Sequence, residues 1–241
     1  MEITDLWKKT LSASLQLPFV KVERIAFLKK ELQPYCTEEQ IQIAIDDSPL
    51  KVLDKRTVNK IANGCISYHT TIVCATSALS GLPGGWFLTA TIPADLAQFY
   101  GHVLALTQKL LYLYGWPDLQ DEDNGLTDET LSVLTLFVGV MMGSHEAVQG
   151  VNLLTKAFAE QVVKRLPKMA LTQYAFYNIS KQVAKWIGMR LTRETFAKGA
   201  GRVIPLIGAP ISAAITYWTF KPMADKLKKQ LDSNLSSKSK N

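Results

Sequence analysis

Three histidines and three cysteines carry most of the chemistry open to this 241-residue chain. Cys65, His69 and Cys74 stand at spacings of four and five, which puts Cys65 and His69 on one face of a helix. A structural zinc ion needs four such ligands, and a catalytic one needs three plus an open position. Nothing adjacent supplies the remainder, so the pair reads as a buried core element. Asp95 and His102 lie seven apart, two turns along one helical face, the spacing of an acid–base pair for proton transfer. The competing reading places Asp95 in a first turn, where it complements the helix dipole, and His102 elsewhere on the helix. His145-Glu146 opens a helix without a partner visible in sequence. The acidic run Asp118, Asp121, Glu122, Asp123, Asp128 and Glu129 fails the calcium-loop pattern: counted from Asp121, Gly125 comes one position early and Ser132 stands where Glu is required. Gly-x-Ser-x-Gly, a P-loop, and Gly-x-Gly-x-x-Gly after a strand are all missing. We therefore expect no catalytic residue, no metal, no cofactor and no small-molecule substrate.

The elements that must position these residues are apolar. Residues 61–108 contain a single charge, Asp95. Asp54 and Thr57 suit the cap of a helix running through Ile61, Ile66, Ile72 and Val73 towards Leu79. Gly81 then stands at its end, and Pro83, Gly84 and Gly85 deny regular hydrogen bonding to the connection. Thr91, Pro93 and Asp95 fit the start of a second helix reaching Gly115. A second apolar block, 203–220, holds 18 consecutive uncharged residues interrupted by Pro205, Gly208 and Pro210. Its length nearly spans a bilayer. Its breaks argue against a plain span, because a broken helix in lipid needs protein neighbours. Gly81, Pro83, Gly84, Gly85, Pro93, Pro205, Gly208 and Pro210 are thus the expected hinges, and 203–220 is expected to pack on 61–80 or 92–114.

Gly81-Leu82-Pro83-Gly84-Gly85, Ile92-Pro93-Ala94-Asp95-Leu96, the run from Gln108 to Gly115 with Pro117-Asp118-Leu119, and the block from Val203 to Thr219 together resemble the EcsC protein family of bacteria. The resemblance covers about residues 50–230. It implies a helical fold and brings no catalytic motif. Pro210 departs from the small residue usual there and questions the continuity of the last helix.

Charge is divided unevenly. Residues 1–150 hold 11 Lys/Arg against 17 Asp/Glu, a net −6, and residues 151–241 hold 16 against 4, a net +12. Such a flank suits an anionic surface. Lys164, Arg165, Lys168, Lys181, Lys185, Arg190, Arg193, Lys226, Lys228 and Lys229 are the expected lipid- or anion-binding residues, interleaved at 174–193 with Tyr174, Phe176, Tyr177 and Trp186. A hydrophobic fraction of 47% and a mean hydropathy near zero are ordinary for a globular chain. The unpaired spacing of Cys36, Cys65 and Cys74 suits reduced thiols, and Met1 to Leu17 lacks the apolar core of a secretory peptide. The expected location is cytoplasmic, peripherally membrane-associated.

Along the chain, residues 1–48 read as amphipathic helices packed on the core, broken at Pro18, with a capping box at Thr37-Glu38-Glu39-Gln40. Residues 49–232 read as the main helical domain and 233–241 as a disordered basic tail. Leu131–Met142 is too short to span a bilayer and reads as a buried helix. The expected fold is all-α, a single compact bundle of eight to ten helices with two Gly/Pro-interrupted apolar hairpins. The expected function is non-enzymatic binding of an anionic membrane surface, with insertion of an apolar hairpin as an extension. The alternative is an adaptor or sensor for a membrane protein or a stress or phage-defence pathway, docking partly through the acidic loop 118–129. Nucleic acid is disfavoured because no recognition motif accompanies the basic segment.

Overall fold

The computed structural model describes residues 3–80, 94–119, 128–160, 178–189 and 205–238. The helices are α1 (Ile3–Leu15), α2 (Arg24–Leu32), α3 (Glu38–Asp46), α4 (Lys55–Ser80), α5 (Ala94–Leu113), α6 (Asp128–Met142), α7 (His145–Glu160), α8 (178–189) and α9 (Pro205–Lys238), with a 3₁₀ turn at Pro49–Lys51. The described residues include no strand, and the protein is an all-α bundle.

Helix α5 is the centre. It is buried on every side from Leu96 to Leu113 apart from half-buried Gln98 and Lys109, and α1, α2, α4, α6 and α9 all pack on it. Its end is fixed by Gly115, at φ 80°, where Gly115 N–H donates to Tyr112 O (3.1 Å) and Trp116 N–H to Leu111 O (3.0 Å). This left-handed terminus returns the last carbonyls of the helix to hydrogen bonds and favours glycine. Helix α1 is tied down by Trp7, which is fully buried, meets Tyr100 edge to face at 5.5 Å, and donates from Nε1 to Thr135 Oγ1 of α6 (3.2 Å). The connection from α1 to α2 crosses α5 at Gly101, where a Cβ would lie 3.0–3.1 Å from Leu17, Phe19 and Val20. Gln108 secures it, donating to Val20 O (2.7 Å) and accepting from Val22 N–H (3.3 Å).

The caps follow the sequence. Thr37 and Gln40 form the reciprocal capping box of α3, Asp54 Oδ1 accepts from Thr57 N–H at the start of α4 (2.7 Å), and Ser144 Oγ accepts from Ala147 N–H at the start of α7 (3.2 Å). On α4 the buried residues Val58, Ile61, Ala62, Cys65, Ile66, His69, Thr70 and Val73 recur at three- and four-residue steps, one continuous stripe. Helix α9 lies antiparallel along α4: Thr216 Oγ1 donates to Ser77 Oγ (2.8 Å) at one end, and Lys228 hydrogen-bonds to Asn59 at the other.

Two expectations are corrected by α9. The hinges at Pro205, Gly208 and Pro210 do not interrupt it; the helix begins at Pro205 and runs unbroken through Pro210 and Pro222. Pro205 occupies the first helical position, where its missing N–H costs nothing. Pro210 and Pro222 are exposed. Trp218, whose carbonyl Pro222 leaves without its helical donor, is exposed as well, so water can replace the lost bond. The expected disordered tail is also helical as far as Lys238, because Leu231 is buried and Leu235 packs against the core. Hinge residues Gly81, Pro83, Gly84, Gly85 and Pro93 lie outside the described residues. No described helix is long and apolar enough to cross a membrane.

Candidate functional site

The least ordinary cluster in the described protein is a chain of three nitrogen-bearing side chains between α4 and α5. His69 Nδ1 lies 3.0 Å from His102 Nδ1, and Lys109 Nζ lies 3.1 Å from His69 Nε2. The stripe of α4 places His69 inward, and α5 presents His102 and Lys109 seven residues apart on one flank. Both imidazoles are at least 95% buried, and His102 Nε2 is buried without a hydrogen-bond partner. Phe19 stacks on His102 with ring centroids 4.4 Å apart. Tyr68, 58% exposed, meets His69 edge to face and carries the Lys109 ammonium 5.3 Å from its ring centre.

Burial sets the electrostatics. Desolvation, with the Lys109 charge and the neighbouring His102, pushes His69 down to about 2; desolvation and Lys109 push His102 down to about 4. Lys109 is itself lowered, chiefly by burial, against the opposing fields of Cys65 and Glu31. The Cys65 thiol is pushed up to about 12 by burial, so it is protonated at neutral pH and a poor nucleophile or metal ligand. No described group of three or more His, Cys, Asp or Glu side chains is placed to hold a metal ion.

Asp95 takes the first-turn place, and His102 has a partner that the spacing along its own helix did not indicate. Asp95 stands in the first turn of α5 and accepts from Leu96 N–H (3.1 Å), while His102 meets His69, thirty-three positions upstream. Cys65, a turn before His69, is buried; Cys74 is half-buried. Lys109 was missed, although its seven-residue spacing from His102 was legible. What sequence could not show was the register of α4 on α5.

The basic residues divide. Lys181 and Lys185 are exposed on α8, four residues apart, opposite buried Ile179, Val183 and Ile187. Lys226 and Lys229 are exposed on α9. Lys226 Nζ lies 3.3 Å from where a Gly143 Cβ would stand, and Gln182 of α8 donates to Glu146 Oε2 (2.5 Å), so α8 and Lys226 border the same turn, residues 143–146. Lys228 departs from the expected role: it is half-buried, pairs with Asp232 (2.8 Å) and donates to Asn59. Asp232 also accepts from Tyr114 O–H (2.5 Å), and Asn59 and Asp232 border a cavity of about 220 Å³ lined also by Lys55, Val58 and Leu235. Lys228 joins α9 to α4 and has little left to offer an external anion. Lys164, Arg165, Lys168, Arg190 and Arg193 lie outside the described residues, as does most of the acidic loop.

On α9, Trp218 is 73% exposed and Tyr217 48%. Helical spacing aligns Trp218 with Lys221, Pro222, Asp225 and Lys229, with Lys226 beside them, on the side away from buried Phe220, Met223, Leu227 and Leu231. Lys221 is engaged by Asp225 at 2.6 Å.

No family model, curated protein or solved structure matches the chain.

Proposed function

We propose that this EcsC-like protein is a peripheral, non-enzymatic binder of anionic membrane surfaces, acting through the outer face of α9 and the neighbouring α8. The observation that carries the reading is Trp218, an indole 73% exposed on a helix whose same face bears Lys226 and Lys229. An indole gains little by standing in water and sits well at the headgroup boundary, where one part of the ring is apolar and the other wet. Lysines beside it add roughly 1 kcal/mol each near an anionic leaflet. Lys181, Lys185, Lys226 and Lys229 together therefore supply about 4 kcal/mol, close to a thousandfold enrichment, before the indole contributes. The apolar core is occupied by packing, which favours surface contact over a resident span.

Flotation with vesicles containing phosphatidylglycerol, against vesicles of phosphatidylcholine alone, tests this reading. The expected result is capture by the anionic vesicles only, lost in Trp218→Ala and in Lys226→Glu/Lys229→Glu. Equal capture by both compositions, or by neither, removes the proposal.

A further inference from the structure

An ammonium group has donors and no acceptor, so Lys109 donates to His69 Nε2. His69 then carries its proton on Nδ1 and donates it to His102 Nδ1, which leaves the His102 proton on Nε2, the buried atom without a partner. Every imidazole lone pair in this relay is thereby occupied. One more proton on His69 turns its Nε2–H against Lys109; one more on His102 turns its Nδ1–H against His69. Neither ring can be charged without breaking a link.

Among the described residues, no acidic group is set against either ring. On α5 the facing charge is Lys109 itself. On α4 the neighbours are the neutral Cys65 thiol and the Tyr68 ring. On α2, Lys30 and Glu31 act with opposite signs on Lys109. From the α1–α2 connection comes only the apolar face of Phe19. The same patch of α5 also seats that connection, through Gly101 and Gln108.

We propose that His69 and His102 form an acid-operated latch between α4 and α5, closed when both rings are neutral, whose double protonation parts the two helices and uncovers the apolar flank of α5 for contact with anionic lipid. The lipid clause rests on the function proposed above; the latch does not. Both rings are held below the ordinary histidine value, at about 2 and about 4. The closed form therefore binds fewer protons than the open one below about pH 6.5, is fully favoured above that value, and is lost as pH falls towards 4. Two coupled protons shift the balance by up to roughly 100-fold per pH unit.

The full chain is titrated from pH 7.5 to 4.5, following amide hydrogen exchange in α4 and α5, near-ultraviolet circular dichroism, and flotation with phosphatidylglycerol vesicles. The expected result is a cooperative opening between pH 6.5 and 4.5 accompanied by stronger vesicle capture, and its loss in His69→Gln/His102→Gln. An identical acid transition in that variant overturns the latch. If the variant does not fold, the imidazole titrations of the unaltered protein decide by NMR: rings that take up protons near pH 6.5 while α4 and α5 stay protected overturn it, and rings that charge only as protection is lost support it. Acid opening without vesicle capture at any pH removes the membrane reading and leaves the latch standing. Capture with an unchanged acid response does the reverse.

Discussion

At the scale of single residues, the protein places two imidazoles where only their neutral forms fit. Acid should therefore act on global stability as well as on local opening. His69 and His102, at about 2 and about 4 against an ordinary 6.5, contribute stability in full above pH 6.5 and lose it below. By pH 5 the loss is about 4 kcal/mol. Urea denaturation at pH 7.5 and pH 5, compared with the double His→Gln chain, should show that fraction of the acid effect missing in the variant. Gly115 makes a second, independent case. Its φ of 80° is costly for any side chain, and an added Cβ would strike Ser48 Oγ. Gly115→Ala should cost about 2 kcal/mol or more in the same assay, and an unchanged midpoint would contradict this account of how α5 ends. Gly115 was legible in sequence because a glycine after a long apolar run has one common meaning. The histidine pair was not, because thirty-three residues and an unknown helix register separate its members.

At the scale of elements, α9 shows how the same amino acids serve two opposed faces. Leu227 is fully buried and Trp218 largely exposed. Leu227→Ala should cost 2–5 kcal/mol, with the spread set by how far the site collapses. Trp218→Ala should change stability by less than about 0.5 kcal/mol and shift only surface binding. Thermal unfolding of both variants checks the contrast, and a large loss for Trp218→Ala would assign the indole to packing. Helix α9 also marks where sequence reading failed. Pro205, Gly208 and Pro210 look like breaks on paper, yet Pro205 starts the helix, which runs on through Pro210 and Pro222, both facing water. The Ser/Asn/Lys composition after residue 232 suggests disorder, yet Leu231 and Leu235 keep the four-residue step and hold it as helix. Local composition gave no account of which side of the helix each residue would take. Lys228 failed for the same reason, since its partners Asn59 and Asp232 are set by the α4 contact.

At the scale of the whole molecule, the bundle buries the long apolar helix α5 in the middle and leaves lysines and a tryptophan on an outer edge. If electrostatics recruits it, raising salt from 50 to 500 mM should strip it from anionic vesicles, because the screening length shortens below the spacing of exposed charges. Retention at high salt would point to the indole or to deeper insertion. The architecture was readable from the 48 nearly uncharged residues at 61–108 and from the caps around them, because so much apolar surface has few ways to leave water. The antiparallel union of α4 with α9 has one further effect, on how the protein is made. The inward stripe of α4 leaves the ribosome well over a hundred residues before the helix that covers it. Until translation reaches α9, that stripe must be shielded by something else, so a nascent chain stalled or cleaved ahead of residue 205 is the form most prone to aggregate and the one that chaperones should be found holding.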